Sequence, residues 1–439
     1  MYRIETAEIP NGYDRNMNNA TKPIRNLSSN SHPSIPLEKQ LSPLEKQLLF
    51  LTGSTARRYL SNLVGWWLVF CLLGSLALAA QTQAIPPKMR SVRVCDDQRG
   101  FIFEKDRSRF VPWGFNYDHD EGGRLLEDYW ETEWPKIEDD FKEMKELGAN
   151  VVRIHLQLGR FMQRPDEPNV TALDKLTRLV ELAEKLQLYL DITGLGCYHK
   201  KDVPLWYDGL SEKARWDVQA RFWEAVAARC ANSPAIFCYD LMNEPVVPGG
   251  KREPGDWLGP AFAGKHFVQF VTLDQAGRPR PTIARQWIKH LTAAIRKHDR
   301  RHLITVGLVS WSLDRPGLTS GFVPENIIAD VNFLSVHLYP DKSGLDKAID
   351  TLRGFSVGKP VVIEEIFPLN CSVTELEEFM DKSQTIASGW MGFYWGKTPQ
   401  QCRRSKEIVD ALMLGWLDLF EKKADAIKQH RGLGVGDKP

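Results

Sequence analysis

The feature that most constrains the fold is an alternation, from residue 91 onward, of short apolar runs with longer amphipathic stretches. In "WPKIEDDFKEMKELGAN" (134–150), apolar residues recur every three to four positions, as on one helix face, and Gly148 suits the helix end. The next run, "NVVRIHL" (150–156), is short and rich in β-branched residues, as is typical of a buried strand. Strand-like runs of this kind, separated by helical stretches, are "FVPWGFN", "NVVRIHL", "YLDITGLG", "AIFCYDLMNEP", "HLITVGL", "FLSVHLYP", "KPVVIEEIF" and "GWMGFYWG".

Eight strands alternating with helices predict an α/β fold, a (β/α)8 barrel, preceded by a short β-hairpin within residues 91–116. A doubly wound open sheet is the alternative, but no G-x-G-x-x-G motif follows the first strand. We expect one barrel domain over residues 86–424 and a C-terminal tail over 425–439. Locally, Thr171 is the expected N-cap of its helix, and residues 267–280 read as a hairpin.

The first 85 residues differ from the rest. Residues 1–55 are rich in Asn, Ser and Pro and are predicted to be a disordered extension. In residues 56–85, Arg57 and Arg58 precede an apolar run, 63–80, that ends in small residues compatible with signal cleavage. The run is also near the length of about 18 residues at which a helix can span a bilayer. The segment is therefore predicted to be a signal peptide, with the mature chain starting between residues 80 and 86, or an uncleaved membrane anchor. Either reading predicts an exported protein, secreted or periplasmic.

Composition excludes some classes of partner. The formal net charge is +1 and the Lys and Arg residues are dispersed, which argues against a nucleic-acid partner. Apart from Cys71 in the export segment, the cysteines are scattered without C-x-x-C spacing, which argues against a zinc or redox motif. Their even number permits disulfides in an exported protein. We expect a monomer that uses no metal and no cofactor.

Polar and aromatic side chains stand at the ends of the predicted strands. Active sites of such barrels lie at the C-terminal strand ends, where these residues would converge on one face. They are Asn116 with the cluster Asp118-His119-Asp120, Arg153 with His155, Asn243 with Glu244, His337 with Tyr339, Glu365, and Trp395.

Two of these residues suit the cleavage of a glycosidic bond. That reaction needs an acid to protonate the leaving oxygen and a second carboxylate to attack the sugar or activate water. Glu244 and Glu365 end strands four and seven, which would face each other across the barrel mouth. The pair predicts a glycoside hydrolase with a carbohydrate substrate.

The region from about residue 92 to 420 resembles glycoside hydrolase family 5, the cellulase family of retaining (β/α)8-barrel glycosidases. "LMNEP" is the most specific shared motif, and "PVVIEEIF" resembles the family's nucleophile strand. "GANVVRI", "VHLYP" and "GFYWG" resemble its second, sixth and eighth strands.

The resemblance implies roles for individual residues. Glu244 would be the acid/base and Glu365 the nucleophile, with Arg153 helping to keep the nucleophile ionised. Tyr339 would hydrogen-bond to the nucleophile. The remaining implied substrate contacts are Asn243 at the sugar 2-hydroxyl, His337 lining the site and Trp395 as the platform beneath the sugar, with Asn116 and His155 also expected at the substrate.

This chain departs from the family pattern in two places. The family usually carries a His at the end of strand three, where "DITGLG" has none, and His199 in the following loop is the expected substitute. Ile366 and Phe367 follow the nucleophile, where relatives often have an aromatic residue and a Gly. These departures leave the sugar and the subfamily open.

The favoured function is an endo-acting β-glycanase on glucan or mannan. An exo-acting β-glycosidase or a transglycosylase is the enzymatic alternative, because the long segment 246–281 could block one end of the cleft. A non-catalytic carbohydrate-binding barrel is disfavoured by the presence of both glutamates. Strand alternation predicts that Glu365 reaches the mouth, whereas Glu364 points toward the surrounding helices or the rim.

Overall fold

The computed structural model describes residues 89–316 and 318–430. Eight parallel strands pair side by side in chain order and close into a barrel, as the sequence predicts. The predicted extension and the apolar run 63–80 lie outside the described residues. The barrel strands are Trp113–Tyr117, Val151–Gln157, Tyr189–Gly196, Ile236–Asn243, Leu303–Val309, Leu334–His337, Val361–Glu365 and Ala387–Phe393.

A small antiparallel sheet precedes the barrel and covers its N-terminal end. Its strands are Val92–Val94, Phe101–Phe103 and Arg109–Phe110. The buried ring of Phe101 packs edge-on against Phe237 and Phe333, with ring centroids 5.2 Å apart in each case. Because those two rings begin the fourth strand and precede the sixth, the predicted hairpin closes the end of the barrel opposite the candidate site.

Helices surround the barrel and bury one apolar face each against it. In Trp134–Glu146 the buried apolar residues recur at helical spacing, as the sequence pattern predicts. Asn169, not Thr171, caps the next helix, because its side-chain oxygen accepts hydrogen bonds from the backbone of Thr171 and Ala172. The helices longer than one turn are Trp134–Glu146, Val170–Leu186, Glu212–Cys230, Arg280–Arg296, Leu345–Gly354, Val373–Ser383, Pro399–Arg404 and Ile408–His430. Single-turn helices are Leu126–Tyr129, Leu158–Phe161, Leu205–Asp208 and Pro324–Ile327.

The long segment after the fourth barrel strand is not the predicted hairpin. Pro245–Val246 instead pairs in parallel with Gln269–Phe270, so the chain leaves the strand, travels outward and returns alongside it. A turn is nevertheless present near Gly277, since Ala276 and Gly277 have positive φ angles. The return brings residues 265–270 over the ends of the third and fourth strands.

Within the described part of the chain, the six cysteines are all free thiols. None of the helices described there is both long and apolar enough to cross a bilayer.

Candidate active site

Glu365 ends the seventh barrel strand and points into the C-terminal mouth. Its Oε1 accepts a hydrogen bond from the Arg153 guanidinium at 2.7 Å, and its Oε2 accepts one from the Tyr339 hydroxyl at 2.6 Å. Arg153 is fully buried, so its charge acts through a medium that screens it weakly. These two contacts hold the Glu365 carboxylate in place at the mouth.

Glu244 follows the last residue of the fourth strand and has φ +47°, in the left-handed region. A non-glycine residue there costs about 1–3 kcal/mol and persists only where its surroundings hold it. Its N–H donates to the Gly307 carbonyl at 3.0 Å, and its carbonyl accepts from the Gln269 N–H at 3.4 Å. The strained turn therefore fixes the direction of the Glu244 side chain at the mouth.

His337 joins the two glutamates. Its Nδ1 lies 3.0 Å from Glu244 Oε1 and 3.4 Å from Glu365 Oε2. One carboxylate oxygen of each glutamate and one ring nitrogen of His337 all lie within 4.8 Å of one another. Burial alone would lower the pKa of His337, but the charge of Glu365 and the hydrogen bonds to Glu244 and Glu364 outweigh it and raise that pKa to about 10. A protonated ring donates hydrogen bonds to both carboxylates.

A layer of buried carboxylates lies beneath this pair. Asp191, Asp240 and Glu364 come from the third, fourth and seventh strands, and none has any exposed surface. Asp240 Oδ2 accepts from Arg153 at 2.8 Å and from the Thr193 hydroxyl at 2.8 Å. Pattern reasoning missed Asp191 and Asp240, because a carboxylate inside an apolar run gives no periodic signal.

The expectation that Glu364 points outward is wrong. Glu364 Oε1 accepts from the Ser335 hydroxyl at 2.8 Å, and Oε2 lies 3.4 Å from His337 Nε2 and 3.5 Å from Arg153. The cause is an irregularity in the pairing of the sixth and seventh strands between Val336 and His337. Such an irregularity breaks strict alternation, so adjacent glutamates both turn inward at different depths.

The pKa values of the buried carboxyl groups are shifted in opposite directions. Burial raises the pKa of Glu364, but the charge of Arg153 and the hydrogen bond from His337 lower it to about 2. Burial and the nearby charge of Glu364 raise the pKa of Asp191 well above its usual range. Asp191 is therefore the member of the layer whose ionised form burial and the neighbouring charge disfavour.

Asn116 and His155 support Arg153 from the first and second strands. Asn116 Oδ1 accepts from Arg153 at 2.8 Å, while its amide nitrogen donates to the carbonyls of Glu364 and Gly392 at 2.8 and 2.9 Å. His155 Nε2 lies 3.4 Å from Asn116 Oδ1. Since Asn116 is fully buried and its amide hydrogens are engaged, its geometry suits holding the arginine rather than contacting sugar.

Tyr198 was missed by the sequence analysis. Its hydroxyl lies 2.5 Å from His155 Nδ1, just beyond the third strand where the family usually has a histidine. Burial and the charge of Arg153 lower the pKa of His155 well below its usual value, so the ring is neutral and its Nδ1 accepts a hydrogen bond from the Tyr198 hydroxyl. His199 lies outside this group, beside a small pocket that Glu127 and Arg160 also line.

Asn243 and Trp395 flank the two glutamates. Asn243 Oδ1 accepts from Arg153 at 3.0 Å, and its amide nitrogen donates to the Phe267 carbonyl at 3.1 Å. The Trp395 ring packs against His119 and Phe367, with centroids 5.1 and 5.5 Å away. The Trp395 indole nitrogen is buried and has no hydrogen-bond partner among the described residues.

A (β/α)8 barrel that presents two facing carboxylates at its C-terminal mouth defines the protein as a glycoside hydrolase. Residues 115–398 match the family described as Cellulase (glycosyl hydrolase family 5). The chain belongs to this family, as its motifs predict.

Curated relatives of this chain are mannan endo-1,4-β-mannosidases. Mannan endo-1,4-β-mannosidase A from Emericella nidulans is 27% identical over 218 residues, covering 44% of this chain and 48% of that one. The enzyme of the same name from Hypocrea jecorina is 24% identical over 255 residues, covering 52% and 51%. The chain thus spans about half the length of these curated relatives.

Solved structures share the fold. An exo-β-1,4-mannosidase from Opitutaceae bacterium strain TAV5 superimposes with TM-score 0.56 at 18% identity, covering 77% of this chain and 63% of that chain. An endo-1,4-β-mannanase from Rhizomucor miehei superimposes with TM-score 0.54 at 17% identity, covering 77% and 99%. At these identities the likeness concerns the fold.

Proposed function

We propose that the protein hydrolyses β-1,4 linkages of mannan-type chains by a double displacement, with Glu365 as nucleophile and Glu244 as acid/base. The observation that carries the proposal is the pair of glutamates, bridged by His337 and with carboxylate oxygens within 4.8 Å of each other. Retaining glycosidases separate the two carboxyl groups by about 5–5.5 Å, whereas inverting enzymes need roughly 6.5–9.5 Å to admit a water. The short separation supports retention.

The surroundings of each glutamate suit its proposed role. Arg153 and Tyr339 contact Glu365 at 2.7 and 2.6 Å and stabilise its negative charge before attack. Within the described part of the chain, Glu244 pairs with His337 and not with Arg153. Glu365 is thereby the better nucleophile and Glu244 the better proton donor.

The reaction follows from these positions. A Glu365 oxygen attacks the anomeric carbon while the Glu244 proton passes to the glycosidic oxygen, so the bond to the leaving sugar breaks as the bond to Glu365 forms. Glu244, now ionised, takes a proton from a water molecule that attacks the same carbon. Release of Glu365 restores both residues and leaves a product with the original anomeric configuration.

Mannan is the proposed substrate because the curated relatives are mannan endo-1,4-β-mannosidases. Trp395 is the proposed platform beneath the sugar, and Asn243 the proposed partner of its 2-hydroxyl. That hydroxyl is axial in mannose and equatorial in glucose, so contacts around Asn243 would separate the two sugars.

The test compares manno-oligosaccharides with the matching β-1,4-gluco-oligosaccharides and follows the anomeric protons of the first product by NMR. We expect faster hydrolysis of the mannose series and initial release of the β-anomer. Initial release of the α-anomer would overturn the double displacement. A preference for the glucose series would overturn the substrate while leaving the mechanism standing.

We also propose export of the barrel domain through the apolar run 63–80. N-terminal sequencing of the protein from its native cells should place the mature start between residues 80 and 86, or membrane fractions should retain the uncleaved chain. Recovery of the uncleaved chain as a soluble cytosolic protein would overturn both versions. A monomer remains the prediction, and light scattering of the purified protein tests it.

A further inference from the structure

Segment 261–270 crosses the barrel mouth and is held there by several contacts. The His266 N–H donates to the Tyr198 carbonyl at 2.9 Å, and the Gln269 side chain donates to the Leu195 carbonyl at 2.8 Å. The Phe267 ring packs edge-on against Tyr198 with centroids 5.0 Å apart. These contacts place the segment above the third and fourth strand ends.

A tight turn at the tip of this segment carries Lys265. Phe262 and Lys265 exchange backbone hydrogen bonds at 2.8 and 2.9 Å, and Ala263 and Gly264 between them have positive φ angles. Although it sits in a loop, Lys265 is only 5% exposed. Its ammonium reaches the loop after the first strand, where a methyl group added at Gly123 would lie 3.3 Å from Nζ. The segment thus closes the mouth between the first strand and the third and fourth.

Asp118 lies inside this closure and is also buried, at 5% exposed. No described residue offers a hydrogen bond to its Oδ1, and His119 Nε2 lies 3.9 Å from its Oδ2. Burial raises the pKa of Asp118, and the charges of His119, Glu365 and Lys265 all act on it. The carboxyl therefore lies within electrostatic range of the candidate nucleophile and of the lysine. The neighbouring His119 packs against Trp395, the proposed platform beneath the sugar.

We propose that Asp118 and Lys265 bind the free hydroxyls of the non-reducing terminal sugar, so that the enzyme is exo-acting and releases sugars from chain ends. This deepens the proposed function and rests on it. A buried carboxylate oxygen and a buried ammonium need hydrogen-bonding partners, and a sugar hydroxyl supplies both a donor and an acceptor. In a β-1,4-linked chain the 4-hydroxyl is free only at the non-reducing end.

An internal sugar fits this site badly. Its O4 carries the next sugar, which would collide with the closing segment. The Asp118 carboxylate would then lack a donor and the Lys265 ammonium an acceptor. Sites built around polar groups reject analogues that lack the matching hydroxyl strongly. The closure therefore favours the exo-acting alternative over the endo-acting enzyme that the sequence favours.

The test uses para-nitrophenyl β-1,4-mannotrioside with and without a 4,6-O-benzylidene cap on its non-reducing sugar, a cap that only an open cleft accepts. For the wild-type protein we expect hydrolysis of the uncapped substrate and a rate at least 100-fold lower for the capped one. Equal rates would overturn the exo proposal while supporting the mannanase activity. Hydrolysis of neither mannoside, with activity on the matching glucosides, would instead overturn the substrate of the proposed function.

Lys265→Met removes the ammonium and keeps the apolar stem. We expect a 10- to 100-fold lower kcat/KM on the uncapped substrate and a higher ratio of capped to uncapped hydrolysis. Lys251→Met is the matched control, because Lys251 lies on the same long segment with a side chain 79% exposed. Identical kinetics of the two variants would exclude the lysine contact. If Lys265→Met does not fold, as judged by its circular dichroism spectrum, Asp118→Asn measured in the same way replaces it.

Discussion

Replacing Arg153 by Met should show how much the free energy of unfolding depends on the one arginine beside the buried carboxylates. The guanidinium donates to Glu365, Asp240, Asn116 and Asn243 at 2.7, 2.8, 2.8 and 3.0 Å. Removing one partner of a buried ion pair costs about 3–5 kcal/mol, since the remaining charge is left uncompensated. Proteins of ordinary stability have a free energy of unfolding of about 5–15 kcal/mol. Arg153→Met should therefore remain folded, but with a much smaller free energy of unfolding.

The matched control is Arg160→Met. Arg160 contacts Asp128 at 2.7 Å but is 45% exposed on its side chain. An exposed pair of this kind contributes about 0–1 kcal/mol. Urea unfolding of both variants and the wild type, with unchanged slopes, gives the free energies of unfolding directly.

The loss in Arg153→Met should also depend on pH. Without the arginine, Glu364 and Asp240 keep their burial but lose the Arg153 charge that lowers their pKa values, so the folded-state pKa of each rises. That of Asp240, already about 6, moves further above its unfolded value. Groups with raised pKa values stabilise the fold below the unfolded pKa and lose that contribution as pH rises. The difference from wild type should therefore be larger at pH 8 than at pH 4.5. If Arg153→Met lowers the free energy of unfolding by less than about 1 kcal/mol, or by an amount that does not change with pH, Arg153 does not stabilise the buried carboxylates in this way.

Other substitutions test the proposed chemistry. Glu244→Gln should lower turnover of natural mannosides by about 10²- to 10⁴-fold but affect substrates with activated leaving groups much less, because these need little protonation; equal losses would argue against the acid role. Glu365→Ala should be nearly inactive and should form a glycosyl azide of inverted configuration when azide is added. Glu364→Ala should lose activity through His337 and Arg153, which it contacts at 3.4 and 3.5 Å, yet show no azide rescue; rescue of this variant would move the nucleophile to Glu364. Gly307→Ala should impair activity, since its new methyl group would lie 3.0 Å from His337 Nε2 and 3.1 Å from Arg153. Wild-type kinetics of this variant would show that His337 and Arg153 can move aside without loss of function.

The barrel and its two facing glutamates were predictable because each rests on local sequence. Helical and strand periodicity are properties of neighbouring residues, and eight alternating elements leave few folds. Glu244 and Glu365 stand where apolar runs stop, so the ends of predicted strands locate them without any knowledge of packing. Their contacts with Arg153, Tyr339 and His337 then follow from closure of the barrel.

Only the tertiary structure shows the buried carboxylates beneath Glu244 and Glu365 and the segment that lies above them. Asp191, Asp240 and Glu364 come from three strands, and only closure of the barrel brings them to one buried layer with Arg153. The inward turn of Glu364 depends on an irregular pairing between two strands, which no single strand's alternation encodes. Lys265 reaches Gly123 because hydrogen bonds to Tyr198 and Leu195 fold its segment back over the mouth. Contacts between residues so distant in the chain arise from packing, and local periodicity carries no information about them.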